Sequence, residues 1–124
     1  EAEPAFDEAR TLYAAMLIAT GDITQADETV KPLLEKGLTD QRIINAYLIQ
    51  KRYDKIAELW EIKVRVSPKD VQARLALAAS YYAVGNKQKS IEVLEQAAKD
   101  IPVAAIQMSQ FIQQIKDGTI QVQQ

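Results

Sequence analysis

The feature that most constrains the fold of this chain is a helical pattern that recurs at a fixed distance along the sequence. In the C-terminal half, apolar residues return every three or four positions on both sides of Gly85, and the pattern ends at Pro102. Such spacing is typical of amphipathic helices, and glycine and proline end them. A shift of 34 residues places Tyr81 on Tyr47 and Pro102 on Pro68. The sequence therefore predicts a repeated unit of helix, tight turn and helix.

A third copy of the unit appears near the N-terminus. When Gly21 is set equivalent to Gly85, the pairs that align are Tyr13 with Leu77, Ala14 with Ala78, Leu17 with Tyr81, Ala26 with Ser90 and Val30 with Leu94. In the middle copy, the turn that begins at Lys51 takes the place of Gly85. We therefore predict one domain built from three units, at about residues 7–36, 37–68 and 71–102.

A further amphipathic segment follows the third unit, at about residues 103–117. Its apolar face consists of Ala104, Met108, Phe111, Ile112 and Ile115, and its opposite face is rich in glutamine. A helix with one apolar and one polar face can close the end of a stack of repeats. We predict a capping helix here, followed by a tail over residues 118–124.

The first predicted helix has no such cover before it. Leu12, Tyr13, Met16 and Leu17 are predicted to pack within the first unit, while Ala9, Ala14 and Ile18 make its other sides only weakly polar. An upstream segment could cover these sides, because Glu1 rather than Met begins the sequence and suggests an excised domain or a processed product. A second copy of the chain could also cover them, and simple exposure to solvent is the third alternative.

Composition excludes several classes of function. A net charge of -2 gives no reason to expect nucleic-acid binding. The chain has no Cys and no His, so thiolate chemistry, imidazole bases and the usual zinc sites cannot form. Its serines lack a histidine partner and it has no glycine-rich phosphate loop, so we expect neither an enzyme nor a bound metal or cofactor. No run of about 18 apolar residues is present, so we expect no membrane insertion of this segment, and its compartment stays open.

The third unit resembles the tetratricopeptide repeat. Its matching positions, in the order of the family pattern, are Leu77, Ala78, Tyr81, Gly85, Ser90, Leu94, Ala97 and Pro102. It departs from the pattern with Arg74 at the tryptophan position and with Ser90 where alanine is usual. The middle unit matches less well, with Ile44, Ile56 and Lys63 at positions that favour small residues. The resemblance implies an all-α, right-handed solenoid of three helical hairpins plus the capping helix. The helices of the middle unit are expected to sit further apart or at an altered angle.

Tetratricopeptide arrays hold a partner peptide or helix on the concave surface that the first helix of each unit lines. The resemblance therefore implies a scaffold for protein–protein interaction. The residues that it places in the groove are Glu8, Thr11, Ala15 and Ile18 from the first unit, Gln41, Asn45, Leu48 and Ile49 from the second, and Gln72, Leu75, Ala79 and Tyr82 from the third. Asn45 could equally be an ordinary solvated helix residue. Tyr81 is expected to pack between helices.

Two alternative functions remain at this point. The closing stretch "FIQQIKDG" is similar to the tetratricopeptide tails of bacterial O-antigen ligase-type membrane proteins, which would make the domain an accessory module of a glycan-assembly protein and tether it to a membrane through other parts of the chain. The uncovered first helix would instead suit a module that associates with itself.

Overall fold

The computed structural model describes residues 4–119, and every regular element in this range is helical. The elements are α1 (Pro4–Ala19), α2 (Ile23–Glu35), α3 (Gln41–Ile49), α4 (Tyr53–Val66), α5 (Val71–Ala83), α6 (Lys87–Asp100), a short 3₁₀ turn (Pro102–Ala104) and α7 (Ala105–Asp117). The all-α class predicted from the sequence is therefore confirmed for this part of the chain. Among these helices, none combines the length and the apolar character that crossing a bilayer requires.

Short polar side chains set where most of these helices begin. Asp22, Asp40, Asp70 and Asn86 each precede a helix, and each side chain accepts a hydrogen bond from a backbone N–H of the first turn. The first amides of a helix have no partner within the helix, so these caps supply one. Arg52, before α4, makes no such bond. The helix boundaries thus follow from local sequence at four of the turns.

The tight turn inside each predicted unit has the same backbone geometry in all three copies. Gly21, Lys51 and Gly85 have φ values of 89°, 56° and 87°. The amide of the next residue donates back to a carbonyl oxygen of the preceding helix: Asp22 to Leu17 at 2.8 Å, Arg52 to Tyr47 at 2.9 Å and Asn86 to Tyr81 at 2.9 Å. The predicted equivalence of the three turns is therefore confirmed. Lys51 adopts a left-handed conformation that glycine adopts without steric cost.

Lys51→Gly should stabilise the protein by about 0.5–1 kcal/mol, because it removes the Cβ clash of the left-handed conformation. This gain is larger than the cost of the extra conformational freedom that glycine gives the unfolded chain. Gly85→Ala is the matched control at the equivalent turn, and it should destabilise the protein by about 1 kcal/mol for the same reason. Urea unfolding of the two variants and the wild type measures both changes. Equal signs for the two substitutions would contradict the shared turn geometry.

The helices pack into two main clusters of buried side chains. One cluster is formed by α1 to α4 and the other by α5, α6, α7 and the 3₁₀ turn. A smaller group made of Ala57, Leu77 and Tyr81 joins α4 to α5, with Trp60 and Val64 packed against it. Helices α3 and α4 meet over a shorter stretch than α1 with α2 or α5 with α6. Helix α3 is also the shortest α-helix of the described chain, so the wider spacing expected in the middle unit stays a prediction.

Small residues allow close packing within the first and third units. Ala26 and Ser90, which occupy equivalent positions, are both fully buried. The Ser90 hydroxyl donates to the Ala78 carbonyl oxygen at 2.7 Å, which joins α6 to α5. Ser90 therefore satisfies the requirement for a small residue and also pairs its own polar group, as a buried hydroxyl must.

The prediction for the buried face of α1 is wrong at three of its four residues, while Leu17 packs against the core as predicted. Leu12, Tyr13 and Met16 are exposed, and the fully buried residues are Ala14 and Ile18. Helix α1 packs on α2 and α3, which lie on the side of Ala14 and Ile18. No described helix covers the opposite side. The periodicity correctly predicted an amphipathic helix, but both sides of α1 carry apolar residues and the sequence did not distinguish them.

Helix α7 closes the C-terminal end as predicted. Met108 and Ile115 are buried, while Phe111 and Ile112 are partly buried against the same cluster. Ala104 is buried too, although it belongs to the short turn that precedes the helix. The predicted tail begins at Gly118, and its residues 120–124 lie outside the described part of the chain.

Candidate functional site

Helices α1 and α3 lie side by side and run in the same direction. At their N-terminal ends, the Arg42 guanidinium donates to both carboxylate oxygens of Glu8, at 2.7 and 3.0 Å. At their C-terminal ends, the Gln50 side-chain amide donates to the Ala19 carbonyl oxygen at 3.0 Å. These two links hold one surface of the helix pair in register over its full length.

An apolar surface of exposed and partly buried side chains lies on the outer sides of both helices. We call it the α1–α3 patch, and it consists of Leu12, Ala15 and Ala19 from α1 with Leu48 and Ile49 from α3. Ile49 is 80% exposed and is the most exposed of its large side chains, while Ala15 is partly buried. An exposed apolar cluster on rigid helices is a feature that often marks a binding surface. The patch is a candidate contact area for a partner protein.

Two side-chain amides border the patch on α3. The Gln41 amide nitrogen donates to the Asn45 side-chain oxygen at 2.9 Å, and both residues are exposed. This bond leaves the Gln41 oxygen free to accept and the Asn45 nitrogen free to donate. A peptide group needs one donor and one acceptor, so the pair can bind one.

An acidic depression lies at the N-terminal end of the same helix pair. Its volume is about 390 Å³, and its lining includes the carboxylates of Asp7, Glu8 and Asp40. Hydrogen bonds from Arg42 lower the pKa of Glu8 and that of Asp40. Both carboxylates are therefore ionised at neutral pH. Leu33, Leu38 and Ile43 supply the apolar part of the lining.

The predicted groove residues of the third unit do not join this surface. Within residues 4–119, α5 packs mainly on α4 and α6, and its contact with α3 is at most slight. Leu75 and Tyr82 are partly buried against the cluster of α5 to α7, and Ala79 is exposed. The structure therefore brings together the candidates of the first two units and leaves those of the third on a separate helix.

Two predicted groove residues are in the core, and this part of the prediction is wrong. Ile18 is fully buried, and Thr11 is 6% exposed with its hydroxyl donating to the Asp7 carbonyl oxygen at 2.9 Å. Ile18 therefore cannot contact a partner, and Thr11 reaches solvent only in the lining of the acidic depression. Carrying the family pattern onto α1 assigned the wrong residues, because the side of α1 that packs on α3 carries Thr11 and Ile18. Leu12, which was expected inside, belongs to the exposed surface instead.

Other buried polar groups serve the fold. The Tyr47 hydroxyl donates to Asp27 at 3.3 Å, and the Lys55 ammonium donates to the same carboxylate at 2.7 Å. Burial and the nearby Asp27 raise the pKa of Tyr47, so it stays neutral. Arg74 is buried and donates to the Pro68 carbonyl oxygen at 2.8 Å and to Asp100 at 2.8 Å. Arg74 thereby fixes the ends of α5 and α6.

No arrangement suited to a metal ion occurs in the described part of the chain. The cavity of about 180 Å³ between α2, α3 and α4 is lined by the Tyr47, Asp27 and Lys55 network together with aliphatic side chains. These groups already satisfy one another. The α1–α3 patch, together with the Gln41–Asn45 pair and the acidic depression, is therefore the better candidate for a binding site.

Comparisons of this chain with models of protein families, with curated proteins and with solved structures find no match. The resemblance to tetratricopeptide repeats consequently has no support beyond the residues quoted for it. It stays a prediction about the fold.

Proposed function

We propose that this chain is a short right-handed solenoid of three tetratricopeptide-like hairpins and a capping helix, and that it acts as a scaffold for protein–protein interaction. The observation that carries the proposal is the α1–α3 patch, where Leu12, Leu48 and Ile49 stand exposed on two helices joined at both ends. The helices are folded without the partner. A partner segment would therefore bear most of the ordering cost of binding.

The α1–α3 patch, the Gln41–Asn45 pair and the acidic depression together define the chemistry of the partner. The patch would take one or two apolar side chains, and Gln41 with Asn45 would pair with a backbone peptide group. The acidic depression adds no charge preference, since Asp7, Glu8 and Asp40 are matched by their partners Arg10, Lys36 and Arg42. The expected ligand is thus an extended segment that carries one or two apolar side chains.

Selection from a library of displayed random peptides tests this proposal while the natural partner is unidentified. Peptides selected on the wild-type protein should carry apolar residues. Ile49→Asp should lower their affinity at least about tenfold, because it places a charge where an apolar side chain is to be buried. Isothermal titration calorimetry with the selected peptides measures the loss.

Val103→Asp is the matched control, because Val103 is 95% exposed and lies in the 3₁₀ turn at the other end of the chain. It should leave peptide affinity unchanged. The proposal would be wrong if no peptides were enriched, or if the selected peptides bound Ile49→Asp as tightly as the wild type. Tyr82→Ala is a poorer probe, because Tyr82 also packs against the core and its loss would affect stability.

A further inference from the structure

One side-chain arrangement occurs twice in the structure, with its members 34 residues apart. Each copy consists of an acid, a tyrosine and a lysine: Asp27, Tyr47 and Lys55 in the first, and Glu61, Tyr81 and Lys89 in the second. In both copies the tyrosine hydroxyl donates a hydrogen bond to the acid. Lys55 donates to Asp27 at 2.7 Å, and the Lys89 ammonium lies 5.0 Å from the centre of the Tyr81 ring. The contact therefore recurs with the repeat.

Each copy links two consecutive units. The acid is on the second helix of one unit, and the tyrosine and lysine are on the first and second helices of the next. We call the pair formed by Asp27 and Tyr47 the first unit contact, and the pair formed by Glu61 and Tyr81 the second unit contact. Both tyrosines are buried, so each hydroxyl needs the acid of the preceding unit as its hydrogen-bond partner.

The first unit contact is one of several between its two units. Helix α1 lies along α3, which the Arg42 and Gln50 side chains join to it, and α2 also packs on α4. The buried side chains of α1 to α4 form a single cluster. Separation of the first two units would therefore break two helix pairs and a shared core together.

The second unit contact has less support around it. In the described part of the chain, α5 packs on α4, whereas any contact of α3 with α5 or of α4 with α6 is at most slight. The helices on either side have separate clusters of buried side chains, and the small group of Ala57, Leu77 and Tyr81 joins them. A groove of about 240 Å³ runs beside this group, and its lining includes Glu61, Tyr81 and Lys89. The two halves of the molecule are therefore joined through one helix pair.

We propose that the folded protein opens at the second unit contact, with α5 to α7 leaving α4 while α1 to α4 stay folded, and that the hydrogen bond from Tyr81 to Glu61 holds this contact closed. In a repeat array each unit contacts only its neighbours, so the stability is a sum of unit and interface contributions. Partial opening then occurs at the interface that costs least to break. At the second unit contact only one helix pair has to separate.

Native-state hydrogen exchange on the full chain, followed by nuclear magnetic resonance, tests this inference. In the wild type, the amides of α5 to α7 should exchange as one group, faster than the most protected amides of α1 to α4. Tyr81→Phe keeps the ring and removes the hydroxyl. It should raise the exchange rates of both groups about tenfold, because the hydrogen bond to Glu61 is broken whenever either half unfolds.

Tyr47→Phe is the matched variant, because it makes the same chemical change at the first unit contact. It should raise the exchange rates of α1 to α4 alone, since the bond from Tyr47 to Asp27 stays intact when α5 to α7 open. Equal changes in all helices after Tyr47→Phe, or unchanged rates in α5 to α7 after Tyr81→Phe, would overturn the inference. Either result would leave the peptide-binding proposal intact, because the α1–α3 patch lies within α1 to α4 and Ile49→Asp tests it separately.

Discussion

Ile18→Ala should lower the free energy of unfolding by about 2–5 kcal/mol. Ile18 is fully buried in the cluster of α1 to α4, where truncation to Ala removes apolar contacts and leaves a cavity. Because small domains are stable by only about 5–15 kcal/mol, this loss is large. Chemical denaturation followed by far-ultraviolet circular dichroism measures it, since the described structure is helical.

The result decides between two roles for Ile18. If Ile18 lined a groove, as the family pattern predicts, its truncation would weaken partner binding and leave the stability of the protein unchanged. Ile49→Ala is the matched control, because it makes the same chemical change at a side chain that is 80% exposed. It should change the free energy of unfolding by less than about 0.5 kcal/mol. Similar effects of the two substitutions would contradict the packing of α1 described above.

Ser90→Leu should destabilise the protein by about 3 kcal/mol. Ser90 is fully buried where α6 crosses α5, and its hydroxyl lies 2.7 Å from the Ala78 carbonyl oxygen. A leucine has no space there, so the two helices would have to separate. The hydrogen bond would be lost at the same time. Thermal and urea unfolding of the variant measure the total loss of stability from both causes.

Ser90→Ala separates the two causes. Alanine is as small as serine and occupies the equivalent position in the first unit, at Ala26. It removes only the hydrogen bond, so its cost should be about 1 kcal/mol or less. If Ser90→Ala cost as much as Ser90→Leu, the hydrogen bond rather than the close approach of the helices would hold α5 to α6.

The sequence predicted the helices well because their signals are local. Gly21 and Gly85 allow the left-handed turn, and the Asp and Asn caps start the next helix within two residues of a turn or loop. The apolar period of α7 likewise predicted which of its residues are buried. Such signals act within a few residues and do not depend on which helix lies alongside.

The candidate surface was predicted only in part. Gln41, Asn45 and Leu48 are exposed on α3, as a groove would require, and whether they bind a partner stays a prediction. Thr11 and Ile18 are buried, although the family pattern placed them in the groove. The error lies in α1, which carries apolar residues on both sides. Periodicity detects that a helix has an apolar side, but where a helix has two apolar sides it cannot show which one is buried.

By itself, the sequence determined the helices and turns of the described residues, because backbone geometry and hydrophobic period are encoded over a few residues. Only the tertiary structure decided which side of α1 enters the core, that α5 packs on α4 rather than extending the surface of α3, and that Phe6, Tyr13 and Met16 remain uncovered. These outcomes depend on contacts between residues far apart in the chain. Their free energies are summed over whole helix pairs and cannot be read from either helix alone.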